Sequence, residues 1–334
     1  MSKTVYLKYP NENVLFKLTL GKEHDLTKLS PNELKDKSYF TFTQFNPTKE
    51  NKTCFEIIRN ENYEFKDNIE QPLEKPSEIY FGDKAVYLDK VNEIIALLKT
   101  NEKMVFSKTT SFEYRWEKSS RLSFFKLLSE KYTSAFTYLF EDDNYCWLGA
   151  TPEKLMYSNQ NLIEIDSLAG TINVESKATW TEKEFKEQNL VSTHIASTLV
   201  QNDIKFSVSP RTEINTGVVK HLLTKFKIHE NKNEKLIDLI FKLHPTPAVA
   251  GMSQKVGLKL IQEYEDYDRE QYAGIIGIYS NKKPKLFVNL RCMKIENSKT
   301  TIYTGGGITN MSNPEAEWQE TIDKANTLLS IFGG

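Results

Sequence analysis

Two stretches of the chain each present a pair of carboxylates three residues apart on what reads as a helix. In "NPEAEWQETIDK" (313–324), Glu317, Glu320 and Lys324 fall at i, i+3 and i+7 and project from one side. In "EKEFKEQNLVSTHIASTLV" (182–200), Glu184 and Glu187 repeat the spacing. Two such helices meeting across a cleft would hold one divalent cation, and all-oxygen ligation with retained waters suits Mg²⁺. The same spacing also describes a solvated helix face. Trp318, Ile322, Ala325, Leu329 and Phe332 form an apolar stripe. At about 100° per residue the acidic side of that helix centres roughly 120° away from it, so periodicity favours solvent there. Glu187 is different. Val191, Ile195 and Leu199 follow it at helical spacing and place it at the margin of an apolar stripe, where a bare carboxylate is costly.

Other residue types invite chemistry less directly. "YTGGGIT" (303–309) sets Gly305, Gly306 and Gly307 after a strand, where backbone N–H groups can approach an anion. A tight turn explains it equally well, and Asn310 breaks any dinucleotide fingerprint. "SLAGT" (167–171) likewise ends a strand in small residues. Arg291 alternates with Asn289 and Met293 along a predicted strand; facing inward it would need an anion. His244 in "LHPTPAVAGM" (243–252) stands alone, without a nucleophile–base constellation around it.

The elements that must position these groups are mixed. Aromatic and β-branched runs predict strands at 38–45, 53–59, 134–141, 144–150, 154–158, 273–280, 285–295 and 300–306. Helical periodicity covers about 86–100, 120–131, 181–202, 214–226, 253–264 and 314–332. Asn313 and Pro314 cap and start the last of these. Strands come in runs with helices between the runs, so the fold class expected is α+β with largely antiparallel sheets. No boundary divides the chain, and 1–334 reads as one domain whose first 85 residues carry the least information. A net charge of −1 removes the compositional reason to expect nucleic acid or an acidic membrane as partner. No apolar run reaches the roughly 20 residues of a membrane helix, and the N-terminus lacks a signal-peptide pattern. Cys54, Cys146 and Cys292 are widely spaced and odd in number, which fits a cytoplasmic protein with reduced thiols.

Taken in order, several blocks resemble the chorismate-utilising enzymes, and within them the isochorismate synthases. The carriers are "KMVFSK" (103–108), "WLGATPEKLM" (147–156), "SLAGT", "KEFKEQNLV" (183–191), "LHPTPAVAGM", "YEDYDREQYAGIIGIYS" (264–280), "NLRCMKI" (289–295), "YTGGGI" (303–308) and "NPEAEWQETIDK". The resemblance implies a large α+β domain, antiparallel sheets inside and helices outside, with Mg²⁺ bridging protein carboxylates to a substrate carboxylate. It implies that Glu184, Glu187, Glu317 and Glu320 are the metal pairs. It places Lys103 as the general base that activates water and Glu153 as the general acid that protonates the departing C4 hydroxyl. A lysine base needs its pKa well below the usual ~10.4, and the acid needs the opposite shift. Gly170, Thr171, His244, Arg291, Tyr303, Gly305, Gly306 and Lys324 match positions that meet the substrate, chorismate.

Within the family, "HPTPAVAG" follows the water-using pattern rather than the aminating one, so no glutaminase partner is expected. The expected product is isochorismate, from a monomer or weak dimer. Salicylate synthases, which go on to eliminate pyruvate, are the nearest rival; an aminating synthase or a non-catalytic binder are further alternatives. Gln188 departs from the family, which often has His there, and "TTSFEYRWEKSSR" (109–121) follows no assignable pattern.

Overall fold

The computed structural model describes residues 3–45, 52–65, 73–100, 102–159, 162–175, 179–216, 219–229, 236–280 and 283–333. The strands are β1 (Thr4–Lys8), β2 (Leu15–Asp25), β3 (Ser38–Phe42), β4 (Thr53–Tyr63), β5 (Lys103–Glu113), β6 (Phe136–Glu141), β7 (Cys146–Thr151), β8 (Lys154–Asn159) and β9 (Leu162–Asn173). They continue as β10 (Phe206–Val208), β11 (Thr212–Asn215), β12 (Val219–His229), β13 (Gly251–Met252), β14 (Ile275–Ser280), β15 (Lys283–Val288), β16 (Cys292–Glu296) and β17 (Lys299–Ile308). The helices are α1 (Pro31–Asp36), α2 (Lys84–Leu97), α3 (Lys118–Lys131), α4 (Glu182–Gln201), α5 (Leu236–Leu243), α6 (Gln254–Tyr264) and α7 (Pro314–Leu329).

Every strand pairing is antiparallel. One run of pairings goes β13–β5–β17–β16–β7–β6–β1. A second goes β3–β14–β15–β8–β9–β12. β2 and β4 join them. The two runs face each other across an aromatic core: the Phe136 and Phe287 rings stack at 4.4 Å, and Tyr138 donates to Asn289 Oδ1 at 2.7 Å. Alternate side chains of the first run leave its other face apolar too. Leu139, Leu148, Met293 and Ile302 there pack against Phe124 and Leu128 of α3 and Leu328 of α7 in a second core. α4 covers β9 and β12, and α7 covers β17. None of the helices among the described residues is long and apolar enough to cross a membrane.

The antiparallel α+β expectation holds, with local corrections. The helix expected over 214–226 is instead β11 and β12. His221, Leu222, Leu223 and Thr224 are all buried, so this strand lacks the alternation of a half-exposed one, and Leu222, Leu223 and Phe226 mimic helical spacing. The strand expected over 285–295 breaks between β15 and β16, where Arg291 takes φ 49°. Arg291 therefore sits on a bend and not within a strand. The unassigned "TTSFEYRWEKSSR" is the end of β5 running into α3. On α7 the buried positions are Glu317, Thr321, Ala325, Thr327 and Leu328, while Trp318 is only partly buried. The acidic side faces the sheet, against the reading from periodicity.

Candidate active site

Asn313 caps α7 by accepting from Ala316 N–H, with Pro314 in the first turn, as their residue types predict. The helix then drops Glu317 and Glu320 onto β17. α4 starts with a capping box from Thr181 and lowers Glu187 onto the same strand from the other side. Glycine is required where they land. A Cβ on Gly306 would sit 3.1 Å from Glu317 Oε2 and 3.4 Å from Glu320 Oε1; one on Gly307 would sit 2.6 Å from Lys103 Cε and collide with Glu187 Oε1. The glycine run thus makes room for the protein's own carboxylates.

Each of these acids meets a lysine. Lys103 Nζ donates to Glu187 Oε1 at 2.7 Å, Lys183 Nζ to Glu317 Oε1 at 2.6 Å, and Lys324 Nζ to Glu320 Oε1 at 2.7 Å and Gly305 O at 2.8 Å. Glu317 Oε2 remains a buried oxygen without a partner. Burial, opposed by Lys183 and reinforced by Glu320, holds the Glu317 carboxyl above its ordinary range. For Glu320, burial is outweighed by Lys324 and Lys183, which hold it low. No three acidic, histidine or cysteine side chains among the described residues stand close enough to share one ion as they lie, and each of Glu187, Glu317 and Glu320 is paired with a lysine. The donor set itself fits Mg²⁺: hard carboxylate oxygens on two helices, one of them orphaned.

Beside this cluster a cavity opens, with about 680 Å³ of space between its walls, mouth included. Charged and polar groups converge on it, as they do in small-molecule sites. Its walls include Glu153, Gly170, Thr171, Glu187, His221, Arg291, Tyr303, Gly305, Gly306 and Lys324. Glu153 leads into β8 and is buried. Burial, reinforced by Asp166 and opposed by Lys103 and Lys324, lifts its carboxyl to about 8. It is therefore a protonated acid at neutral pH. Arg291 is buried; its Nη1 donates to Thr216 O and its Nη2 to Thr216 Oγ1 at 2.8 Å. Nη2 also meets His221 Nε2 at 2.8 Å, while His221 Nδ1 meets Gly170 O at 2.8 Å. Nδ1 must donate to that carbonyl, which leaves Nε2 to accept from Arg291. Burial, with the charges of Arg291 and Lys324, pushes His221 down to about 3 and keeps it neutral. Burial lowers Arg291 to about 10, still charged at neutral pH. No carboxylate among the described residues forms an ion pair with it. The cavity thus offers a buried guanidinium awaiting an anion. Tyr303 stacks between Trp147 at 5.2 Å and Tyr272 at 5.6 Å.

Most residues expected at the site converge here, and several do so differently from expectation. Lys103 is fully buried, behind the wall that Gly307 and Glu187 form, rather than in the lining. Glu184 Oε2 accepts from Thr181 N at 2.9 Å and Oγ1 at 2.6 Å, so this acid serves the cap of α4 and stands apart from the other three. His244 is buried outside the cavity wall, with neither ring nitrogen hydrogen-bonded and its pKa lowered to about 4 by burial. His221 is the histidine in the wall; the helix expected over 214–226 hid it. Lys183 was lost in a charged run, although its place beside a carboxylate pair at a helix start was a usable signal. Gln188 ties Ser167, Ser192 and Thr224 together at 3.0 to 3.2 Å and accepts from Arg211, which accounts structurally for an amide there.

The chain is similar to several known proteins. An isochorismate synthase, MenF, of Haemophilus influenzae is 28% identical over 264 residues, covering 75% of this chain and 61% of that protein. An isochorismate synthase, EntC, of Escherichia coli is 31% identical over 199 residues, covering 56% and 51%. The chain thus spans about half to three fifths of the length of these curated relatives. Among solved structures, the putative 2,3-dihydroxybenzoate-specific isochorismate synthase of Bacillus anthracis superposes with TM-score 0.82 at 20% identity, covering 98% of this chain and 96% of that one. Anthranilate synthase component I of Streptococcus pneumoniae superposes with TM-score 0.71 at 16% identity, covering 98% and 92%, so the fold alone spans both chemistries. The family described as chorismate binding enzyme matches residues 26–333, nearly the whole chain, and the chain belongs to that family.

Proposed function

We propose that this chain isomerises chorismate to isochorismate, adding water at C2 of the ring and expelling the C4 hydroxyl. The observation that carries the reading is Glu153. It is a buried carboxyl held up at about 8 in a cavity that also contains an unpaired guanidinium. Hydroxide leaves poorly unless protonated, and Glu153 holds the proton it needs. Arg291, fixed by Thr216 and His221, receives a substrate carboxylate, and Lys324 and the backbone at Gly305 and Gly306 line its surroundings. Tyr303, Gly170 and Thr171 shape the remaining wall.

Lys103 takes the proton from the attacking water. Its amine now rests on Glu187 at 2.7 Å and reaches a water at C2 once that carboxylate turns away. Glu187, Glu317 and Glu320 are the residues that would hold Mg²⁺, with Glu184 one turn away on α4. Bound there, the ion supplies positive charge to neutralise a substrate carboxylate. One similar solved structure is titled a menaquinone-specific isochorismate synthase and another a 2,3-dihydroxybenzoate-specific one, so the same product would serve either a menaquinone or a siderophore route here.

The test is incubation of the purified chain with chorismate across a Mg²⁺ titration, with chromatographic product identification. Isochorismate as sole product is the expected result. Salicylate with pyruvate would assign a lyase, anthranilate in the presence of ammonium an aminating enzyme, and no consumption a binding protein.

A further inference from the structure

Glu187, Glu317 and Glu320 each lean on a lysine, but the lysines differ in what else they reach. Lys103 stands behind Gly307, where the proposed reaction uses it as base. Lys324 is in the cavity wall and also donates to Gly305 O. Lys183 does neither. It lies in the first turn of α4, just after the Thr181 cap, and takes no part in the cavity wall. Its amine crosses from α4 to α7 and donates to Glu317 Oε1 at 2.6 Å. Among the described residues this is the one hydrogen bond or ion pair that joins the two helices. The Lys183 side chain is 16% exposed and that of Glu317 1%, so water screens the pair little.

Glu317 is only half used by this contact. Its Oε2 is buried and has no hydrogen-bond partner. That oxygen stands over Gly306, a residue of the cavity wall, where a Cβ would meet it at 3.1 Å and Glu320 Oε1 at 3.4 Å. One oxygen therefore holds the chain's own cation, and the other faces the place where a divalent ion would be shared with Glu320. An ammonium fixed on the same carboxylate repels such an ion. Taking the ammonium away would leave a buried carboxylate without a counter-charge, which is strongly unfavourable unless another cation arrives.

We propose that Lys183 is a positioning residue acting through Glu317 as a tethered counter-cation: it clasps α4 to α7 while no metal is bound, and it lowers the affinity of the site for Mg²⁺. The inference rests on the reading above for the identity of the ion. It concerns how firmly the ion is held, not the chemical step. With Lys183 in place the empty site is neutral at Glu317 and stable, and the ion is exchangeable. Without it, the ion is the only cation that serves Glu317 and is held more tightly.

The experiment is calorimetric titration of the full chain with Mg²⁺, without chorismate, for wild type, Lys183→Met, Lys183→Arg and the double variant Lys183→Met, Glu317→Gln. Methionine keeps the unbranched stem and removes the charge. Lys183→Met should lower Kd by about tenfold or more, through loss of a like charge beside a dication. Where wild type binds too weakly to titrate, a measurable Kd in Lys183→Met is the expected result. Lys183→Arg keeps the charge and should bind as wild type does. Adding Glu317→Gln should abolish the gain, because the effect passes through that carboxylate. In chelator Lys183→Met should melt below wild type, and Mg²⁺ should raise its melting temperature by the larger step. If it is unfolded in chelator, Mg²⁺ should fold it, and the midpoint of that titration reads the affinity. An unchanged or raised Kd in Lys183→Met would overturn the proposal; a raised one would mean that the lysine aims Glu317 at the ion. Absence of Mg²⁺ binding in both proteins, or a variant unfolded at every Mg²⁺ concentration, would overturn it as well. The product assay on wild type is separate: no isochorismate there refutes the isomerase reading, while the Kd comparison still decides the role of Lys183.

Discussion

Glu153, unlike Glu187, Glu317 and Glu320, has no lysine within bonding distance among the described residues. It is the acid best able to hold a proton at neutral pH, and this sets two expectations. The rate, measured as kcat/KM against pH, should decline as pH rises through about 8, because the acid is then lost. Stability should change in the same window. A carboxyl raised from 4.5 to about 8 binds its proton more tightly folded than unfolded. Its contribution is full below 4.5 and lost as pH rises through 8. Glu153→Gln should therefore flatten the fall of unfolding free energy between those values in urea titrations; an unaltered slope would remove the assignment. Lys103→Ala should cut turnover by about 10²–10⁴, the usual worth of a positioned proton acceptor, while circular dichroism stays native. Near-normal turnover would rule it out as base. Lys103, Glu153 and Arg291 were legible because each lies in a recognisable block, although nothing in their local spacing told a buried charge from a surface one.

At the scale of elements, β17 and its two covering helices form one device. Gly307 is flat so that α4 and β5 can bring Glu187 and Lys103 together across it. Gly307→Ala should separate that pair, lowering stability by about 1–3 kcal/mol through overpacking and lowering activity with it. Chemical denaturation beside the chorismate assay measures both, and an alanine enzyme with wild-type values for each would contradict the device. The helices α4 and α7 were legible from caps and periodicity. Their rotation was not. Trp318 outweighs Glu317 in any hydrophobic count, yet it packs at the edge against Tyr87 while the carboxylate goes inward. Periodicity registers transfer energies of side chains taken singly, whereas Glu317 is buried because Lys183 comes from another helix to meet it. β12 failed for a different reason: it is buried on both faces over His221–Thr224, so it lacks the alternation of a half-exposed strand.

For the whole molecule, the antiparallel α+β class followed from strands coming in runs, but the order of pairing did not, because neighbours such as β17 and β5 are far apart in sequence. The two sheet runs hold the cavity between elements drawn from both, so their packing and the site should be lost together. Phe287→Ala, which removes the ring stacked on Phe136, should cost about 3–5 kcal/mol and lower the melting temperature measured by calorimetry. Retention of the full melting temperature would show that the two runs do not depend on that contact.

The unpaired guanidinium of Arg291 has a consequence for encounter as well as for binding. The chain as a whole is nearly balanced at −1, so it exerts little pull on an anion at a distance. Close to the opening, low-dielectric walls concentrate the field of this one cation along the cavity. A small dianion should thus be captured faster at low ionic strength than at high. The reach of that field shrinks from about 30 Å at 0.01 M salt to about 3 Å at 1 M.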